Sequence, residues 1–175
     1  MDVISYLKSA SNDELQKIQD FLLEEIKSRR SAPQRIRRVT TYSDGASRGN
    51  PGHAGIGILI YDEKDQKIVQ DFNYIGQCTN NEAEYRALLL ALDRAFEITQ
   101  GHVECVMDSE LLVRQLNGQY AIKSEKLIKF YQEVKERVKN FSSVSFRHVL
   151  RSEPHLQLAD QLANKGIDEA MPKAG

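Results

Sequence analysis

Tryptophan is absent from this 175-residue chain, cysteine occurs twice and proline four times. Two cysteines cannot build a disulfide framework, and neither lies in a CxxC or Cys/His pair with zinc-ligand spacing. Cys78 and Cys105 are therefore read as ordinary buried thiols. No run approaches the ~18 apolar residues of a membrane span, and Met1-Asp2-Val3 lacks a basic segment leading into an apolar one. The expectation is a cytoplasmic protein of a reducing compartment with no membrane partner. Excess charge is lacking too: 24 Lys+Arg against 25 Asp+Glu leave −1, which excludes a uniformly basic nucleic-acid binder. With 41% hydrophobic and 28% charged residues, the composition is that of one folded domain with a short appendage.

The small net charge hides an asymmetry. Residues 1–38 carry eight Lys/Arg and six Asp/Glu, so the remainder holds 16 against 19. From Lys27 to Arg38 there are six basic residues and no acid, interrupted by Pro33, which reads as a boundary. Before it, Ser11 and Glu14 make a capping box, and Leu15, Ile18, Leu22 and Ile26 recur at helical spacing. Val3, Ile4, Tyr6 and Leu7 suit a shorter preceding helix. The expected organisation is a helical N-terminal arm with a basic linker over residues 1–37, a main domain over 38–170 and a tail over 171–175. An apolar helical stripe of this length has to bury itself on something, either the main domain or a second copy of the chain. A homo-oligomer through the N-terminal helix is therefore one reading.

From residue 39 the pattern becomes that of strands. Val39-Thr-Thr-Tyr-Ser43 is β-branched and aromatic and is expected to stop at Asp44-Gly45. Gly55 to Tyr61 and Lys67 to Tyr74 follow across short turns, predicting an antiparallel meander. Asn80 or Asn81 is expected to cap a helix reaching about Thr99. His102 to Met107 predicts a fourth strand and Ser143 to Val149 a fifth. Helical periodicity covers 111–116 and 127–138, and a last helix spans roughly Leu158 to Glu169. The order βββ-α-β-αα-β-α predicts an α/β fold, a mixed five-stranded sheet with flanking helices.

Four acids stand at element ends or on inward faces. Asp44 and Asp108 end strands, and Asp160 lies at the expected start of the last helix. Glu84 is one turn before Leu88, on the face that points to the sheet. Glu82, about 200° away round the helix, is expected to face solvent. Any one such aspartate is more often a cap or strand end. Four inward carboxylates without matching inward cations require positive charge among them, and an all-oxygen set suits Mg²⁺ or Mn²⁺ beside phosphate.

The segments Ser43 to Gly52, Thr79-Asn-Asn-Glu-Ala-Glu-Tyr85, Asp108-Ser109 with Val113-Arg-Gln115, and Leu158 to Asn164 resemble the successive motifs of type 1 ribonuclease H. The resemblance covers about residues 38–170. It implies a ribonuclease H-like fold and cleavage of the RNA strand of RNA–DNA hybrids by two divalent ions per site, leaving 5′-phosphate and 3′-hydroxyl ends. By motif position it places the metal ligands at Asp44, Glu84, Asp108 and Asp160. It also places Asn50, Asn80 and Asn81 along the shallow groove, where amides donate to and accept from 2′-hydroxyls. Thr79 corresponds to a residue that holds a DNA phosphate, with Arg48 as its neighbour.

Lys123 and Lys126 head a basic stretch with Lys129, Lys135, Arg137 and Lys139, suited to backbone phosphates or simply to a solvated helix face. The chain runs directly from Tyr120 to Lys123, like the shorter members that lack an extra basic loop. It departs from the family pattern at Leu156, where an Asn or Glu usually stands four residues before the last aspartate. His155 is the candidate for the mobile-loop histidine that aids product release, with His148 a weaker one. Two rival readings remain: a catalytically weak nucleic-acid-binding module, and an assembly protein that uses the N-terminal helix.

Overall fold

β-Branched and small residues after Ile36 form a long strand, β1 (Arg38–Gly49), which folds back through Asn50-Pro51 into β2 (Gly52–Asp62). A turn at Asp62–Gln66 then leads into β3 (Lys67–Cys78). Helix α3 (Asn80–Ile98) follows, then β4 (His102–Met107), α4 (Glu110–Leu116), α5 (Glu125–Val138), β5 (Ser143–His148) and α6 (Pro154–Ala170). An N-terminal pair of helices, α1 (Val3–Ser9) and α2 (Asn12–Ser31), precedes them. This architecture comes from a computed structural model, which describes residues 3–31 and 36–171. The expected boundary at Pro33, the basic residue Arg35 and the tail from 172 lie outside the described residues.

The chain divides into two compact units, residues 1–35 and 36–175. In the first, the Ser11 N–H donates to Glu14 at 2.8 Å and the Glu14 N–H donates back to the Ser11 hydroxyl at 3.4 Å, the reciprocal box that starts α2. Phe21, Leu22 and Leu23 are exposed on this helix.

In the second unit the sheet order is β3-β2-β1-β4-β5, with β1–β2 and β2–β3 antiparallel and β1–β4 and β4–β5 parallel. Its core gathers Val39, Ile60, Leu88, Leu92, Val103 and Met107, all nearly free of solvent. Helix α3 covers one face. Helix α6 covers the other so closely that a Cβ on Gly57 would collide with the Ala159 carbonyl.

Two of the element boundaries that differ from the sequence reading bear on the site. β1 does not end at Asp44, because antiparallel pairing with β2 continues to Gly49↔Gly52. Its parallel pairing with β4 does end, at Tyr42↔Val106, so Asp44 projects beyond the carboxyl end of that pair. Helix α6 begins at Pro154 rather than Leu158, capped by the Glu153 carboxylate on the Leu156 N–H at 2.9 Å. Asp160 is therefore in the second turn of α6, not at its start.

Candidate active site

Parallel β1 and β4 place Asp44 and Asp108 side by side, because both residues lie just past the point where the pairing of the two strands stops. Helix α3 crosses that edge and delivers Glu84. One carboxylate oxygen from each of Asp44, Glu84 and Asp108 lies within 4.8 Å of the others. Asp160 reaches the same cleft from α6. This cleft, of about 270 Å³, is lined by Asp44, Glu84, Asp108, Asp160, Arg151 and Asn164 among others.

The electrostatics of this cluster are unfavourable without added positive charge. Asp44 is 3% exposed, and burial, reinforced by Asp108 and Asp160, pushes its carboxyl up to about 7. Burial, then Asp44 and Asp108, raises Glu84 well above the usual carboxylate range, against a hydrogen bond from the Gly45 backbone. Asp44 Oδ2 and Glu84 Oε2 are buried with no hydrogen-bond partner. Two unsatisfied carboxylate oxygens, from β1 and α3, converging with Asp108 fit a hard divalent cation.

Arg151 supplies the local positive charge. Its Nη2 lies 2.7 Å from Asp160 Oδ1 and its Nε 3.7 Å from Asp108 Oδ2. Sequence reasoning missed this residue, an arginine in the irregular segment between β5 and α6. Asn164 was missed as well. Its side chain donates to the Asp160 carbonyl at 3.0 Å, one turn along α6, and it lines the cleft.

Thr79, Asn80, Asn81 and Asn50 meet at the start of α3. Thr79, not Asn80 or Asn81, is the N-cap of α3, accepting from the Glu82 N–H at 3.3 Å while its own N–H donates to Glu82 Oε2 at 2.9 Å. This box also corrects Glu82, which is 7% exposed rather than solvent-facing: the N3 carboxylate folds back over the helix start and meets Lys126 at 3.2 Å. The Thr79 N–H and then Lys126 hold Glu82 below the usual range despite burial. Capping by Thr79 leaves Asn80 and Asn81 exposed in the first turn, and the Asn80 N–H donates to Asn50 Oδ1 at 3.2 Å. Arg48 pairs with Asp168 at 2.8 Å.

Of the basic stretch, Lys123 is exposed just before α5 and Lys126 points to the start of α3. Arg137 is taken up by Asp93 and Glu133, and Lys139 by Glu136.

One expectation is corrected near α6. His155 is not on a mobile loop. It sits in the first helical turn, its ring stacked on Tyr42 at 4.5 Å and edge-on to Tyr61 at 4.6 Å, with Nδ1 2.7 Å from Glu153. Leu156 is 1% exposed and packs into the core, so its position contributes no ligand. His148 is exposed at the end of β5. Cys78 and Cys105 are free and buried.

Residues 42–166 match the Reverse transcriptase-like family model. Ribonuclease HI of Halobacterium salinarum is 36% identical over 138 residues, covering 79% of this chain and 68% of that protein. The crystal structure of that archaeon's RNase H1 superposes with a TM-score of 0.72 over 75% of this chain and 98% of its own. LC11-RNase H1, solved in complex with an RNA/DNA hybrid, is 39% identical with a TM-score of 0.70, covering 75% of this chain and 98% of that one. The bifunctional protein Rv2228c of Mycobacterium tuberculosis is 34% identical over 138 residues, or 78% of this chain. The chain matches only 37% of that longer relative's length.

Proposed function

The chain belongs to the ribonuclease H branch of the reverse transcriptase-like family, and from that premise we propose that it cleaves RNA–DNA hybrids. In this reading it hydrolyses the RNA strand internally and leaves 5′-phosphate and 3′-hydroxyl ends. The observation that carries the proposal is the convergence of Asp44, Glu84 and Asp108 within 4.8 Å, with two buried carboxylate oxygens lacking any partner. Asp44, Glu84, Asp108 and Asp160 would hold two Mg²⁺, or Mn²⁺ in their place. Divalent cations held there would supply activation of water and charge neutralisation at the reacting phosphate.

The chain's own residues supply the rest. The Gly45 N–H steadies Glu84 in its ionised form. Arg151 brings a planar guanidinium to the mouth of the cleft, a shape suited to paired phosphate oxygens. Asn50 and Asn80, joined by the bond from the Asn80 N–H to Asn50 Oδ1, form with the neighbouring Asn81 an amide ledge for the 2′-hydroxyls that distinguish RNA from DNA. Thr79, Lys123 and Lys126, with Arg48 nearby, face the DNA-strand phosphates. His155, locked between two tyrosines, serves packing at the start of α6 rather than product release.

The test is cleavage of an end-labelled hybrid with Mg²⁺ or Mn²⁺, comparing the wild type with Asp44→Asn. The variant is expected to lose more than about 100-fold in rate and to keep hybrid binding. Equal inactivity of both proteins, with binding retained, would replace the enzyme by a catalytically weak binding module. The burial of Leu156 is the observation that favours that second reading. The exposed Phe21, Leu22 and Leu23 support a homo-oligomer joined through the N-terminal helix, and two free buried thiols support a cytoplasmic setting.

A further inference from the structure

The first turn of α3 holds an arrangement that nuclease chemistry does not need. Glu82 is a carboxylate placed beside Thr79, the residue assigned to a DNA-strand phosphate. Its two oxygens are divided: Oε2 accepts the Thr79 N–H at 2.9 Å, and Oε1 faces Lys126 Nζ at 3.2 Å. The Thr79 hydroxyl accepts the Glu82 N–H, which leaves its proton to be donated elsewhere. Glu82 is held in the capping box with its side chain 9% exposed, whereas the Lys126 side chain is 79% exposed. The two groups stand in a cleft of about 290 Å³ between the end of β3 and α5. Arg86 lines it too but is already committed, donating to the Ile75 carbonyl at 3.0 Å and lying over the Phe130 ring.

A phosphate meeting the Thr79 hydroxyl would come close to a fixed negative charge. Like charges a few ångströms apart at a partly desolvated surface repel strongly, and only a cation placed between them offsets the effect. Lys126 is the cation in contact with Glu82.

We propose that Lys126 is a charge-compensating residue, whose task is to cancel Glu82 so that a backbone phosphate of the DNA strand can approach Thr79. Glu82 in turn positions the lysine. The inference rests on the hybrid-binding reading and adds a coupling that the reading alone does not contain. A lysine that merely touches phosphate loses the same binding energy when removed, whatever residue 82 is. A compensating lysine is costly to remove only while Glu82 is charged.

The test is a double-mutant cycle in the full chain, with Asp44→Asn in every protein to prevent cleavage. Anisotropy titrations with a labelled RNA–DNA hybrid of about two helical turns give Kd for the parent, Lys126→Ala, Glu82→Gln and the double variant. Glutamine at this position retains the capping box, and matched thermal midpoints verify that the helix start is intact. Lys126→Ala is expected to weaken binding by about tenfold. Adding Glu82→Gln is expected to bring Kd back to within about threefold of the parent, and Glu82→Gln alone to bind at least as tightly as the parent. A double variant as weak as Lys126→Ala overturns the compensation. A parent that fails to bind hybrid overturns the functional reading itself, and this inference with it.

Discussion

An aspartate free in water titrates near 3.8, whereas burial, then Asp108 and Asp160, push the Asp44 carboxyl in the folded chain up to about 7. Between those values the unfolded chain has given up its proton and the folded chain keeps it, so rising pH favours unfolding across this window. Glu84 is shifted in the same direction by the same burial. Without divalent cations, stability is therefore expected to fall by on the order of 2–4 kcal/mol from pH 4 to pH 8. Cations that bind only the ionised cluster should restore it. Urea titrations at both pH values, with and without Mg²⁺, read this directly. Asp44→Asn should flatten the metal-free pH profile and blunt the Mg²⁺ effect. A wild type as stable at pH 8 as at pH 4 without cations would show that the carboxylates are not the source of strain. The residues behind this behaviour were readable in the sequence. Asp44 and Asp108 follow strand-forming runs, and Glu84 shares a helical face with Leu88. Arg151 was not readable, because an arginine in an irregular loop has no periodicity to say where its side chain points.

Elements set how precisely those residues are held. Gly45 lies where the start of α3 crosses β1, and a Cβ there would collide with the Ala83 carbonyl carbon, next to Glu84. Gly45→Ala is expected to push that turn outward, costing about 2–3 kcal/mol and most of the activity, because Glu84 moves with it. An unchanged melting midpoint with unchanged turnover would refute this. Helix α6 shows how a boundary error spreads. Pro154 was a legible first-turn signal, but the cap before it is a glutamate, a weak N-cap type, so the helix was expected to start at Leu158. That displaced start made His155 a loop residue; the gap at Leu156, which came from the family pattern, stays a gap because that side chain is buried. On the observed helix, Leu156 faces the sheet one turn before Asp160. Leu156→Asn is expected to destabilise the protein by about 3 kcal/mol, through a buried amide and poorer core packing, without tightening Mg²⁺ binding. Calorimetric Mg²⁺ titration beside thermal unfolding separates the two effects, and a gain in metal affinity would reverse the reading. Glu82 was misplaced for a related reason. The helical-wheel angle ignores the backward fold of an N3 side chain, which capping-box chemistry imposes.

At the scale of the whole molecule, a net charge of −1 is the sum of regions with opposite character. Acids gather in the cleft where cations would reverse their sign, while Lys27, Arg29, Arg30, Arg37 and Arg38 gather in the sequence where the arm joins the catalytic unit. Among the described residues every buried core side chain lies between Val39 and Ile167, so removing residues 1–35 is expected to leave the thermal midpoint within about 3 °C. Sedimentation of both forms then tests assembly through the arm, and a full-length chain that is already a monomer would eliminate it. The linker's charge is tested separately, because neutralising phosphates releases counterions and so imprints on salt dependence. Every phosphate that the protein ceases to neutralise should lower the slope of log Kd against log salt by about 0.9. Replacing Lys27, Arg29 and Arg30 by glutamine in the Asp44→Asn chain should therefore flatten hybrid binding by one to two such steps, and weaken it most at low salt. If the linker is only a tether, the slope will match the parent's at every salt concentration, and hybrid affinity will belong to the catalytic unit alone.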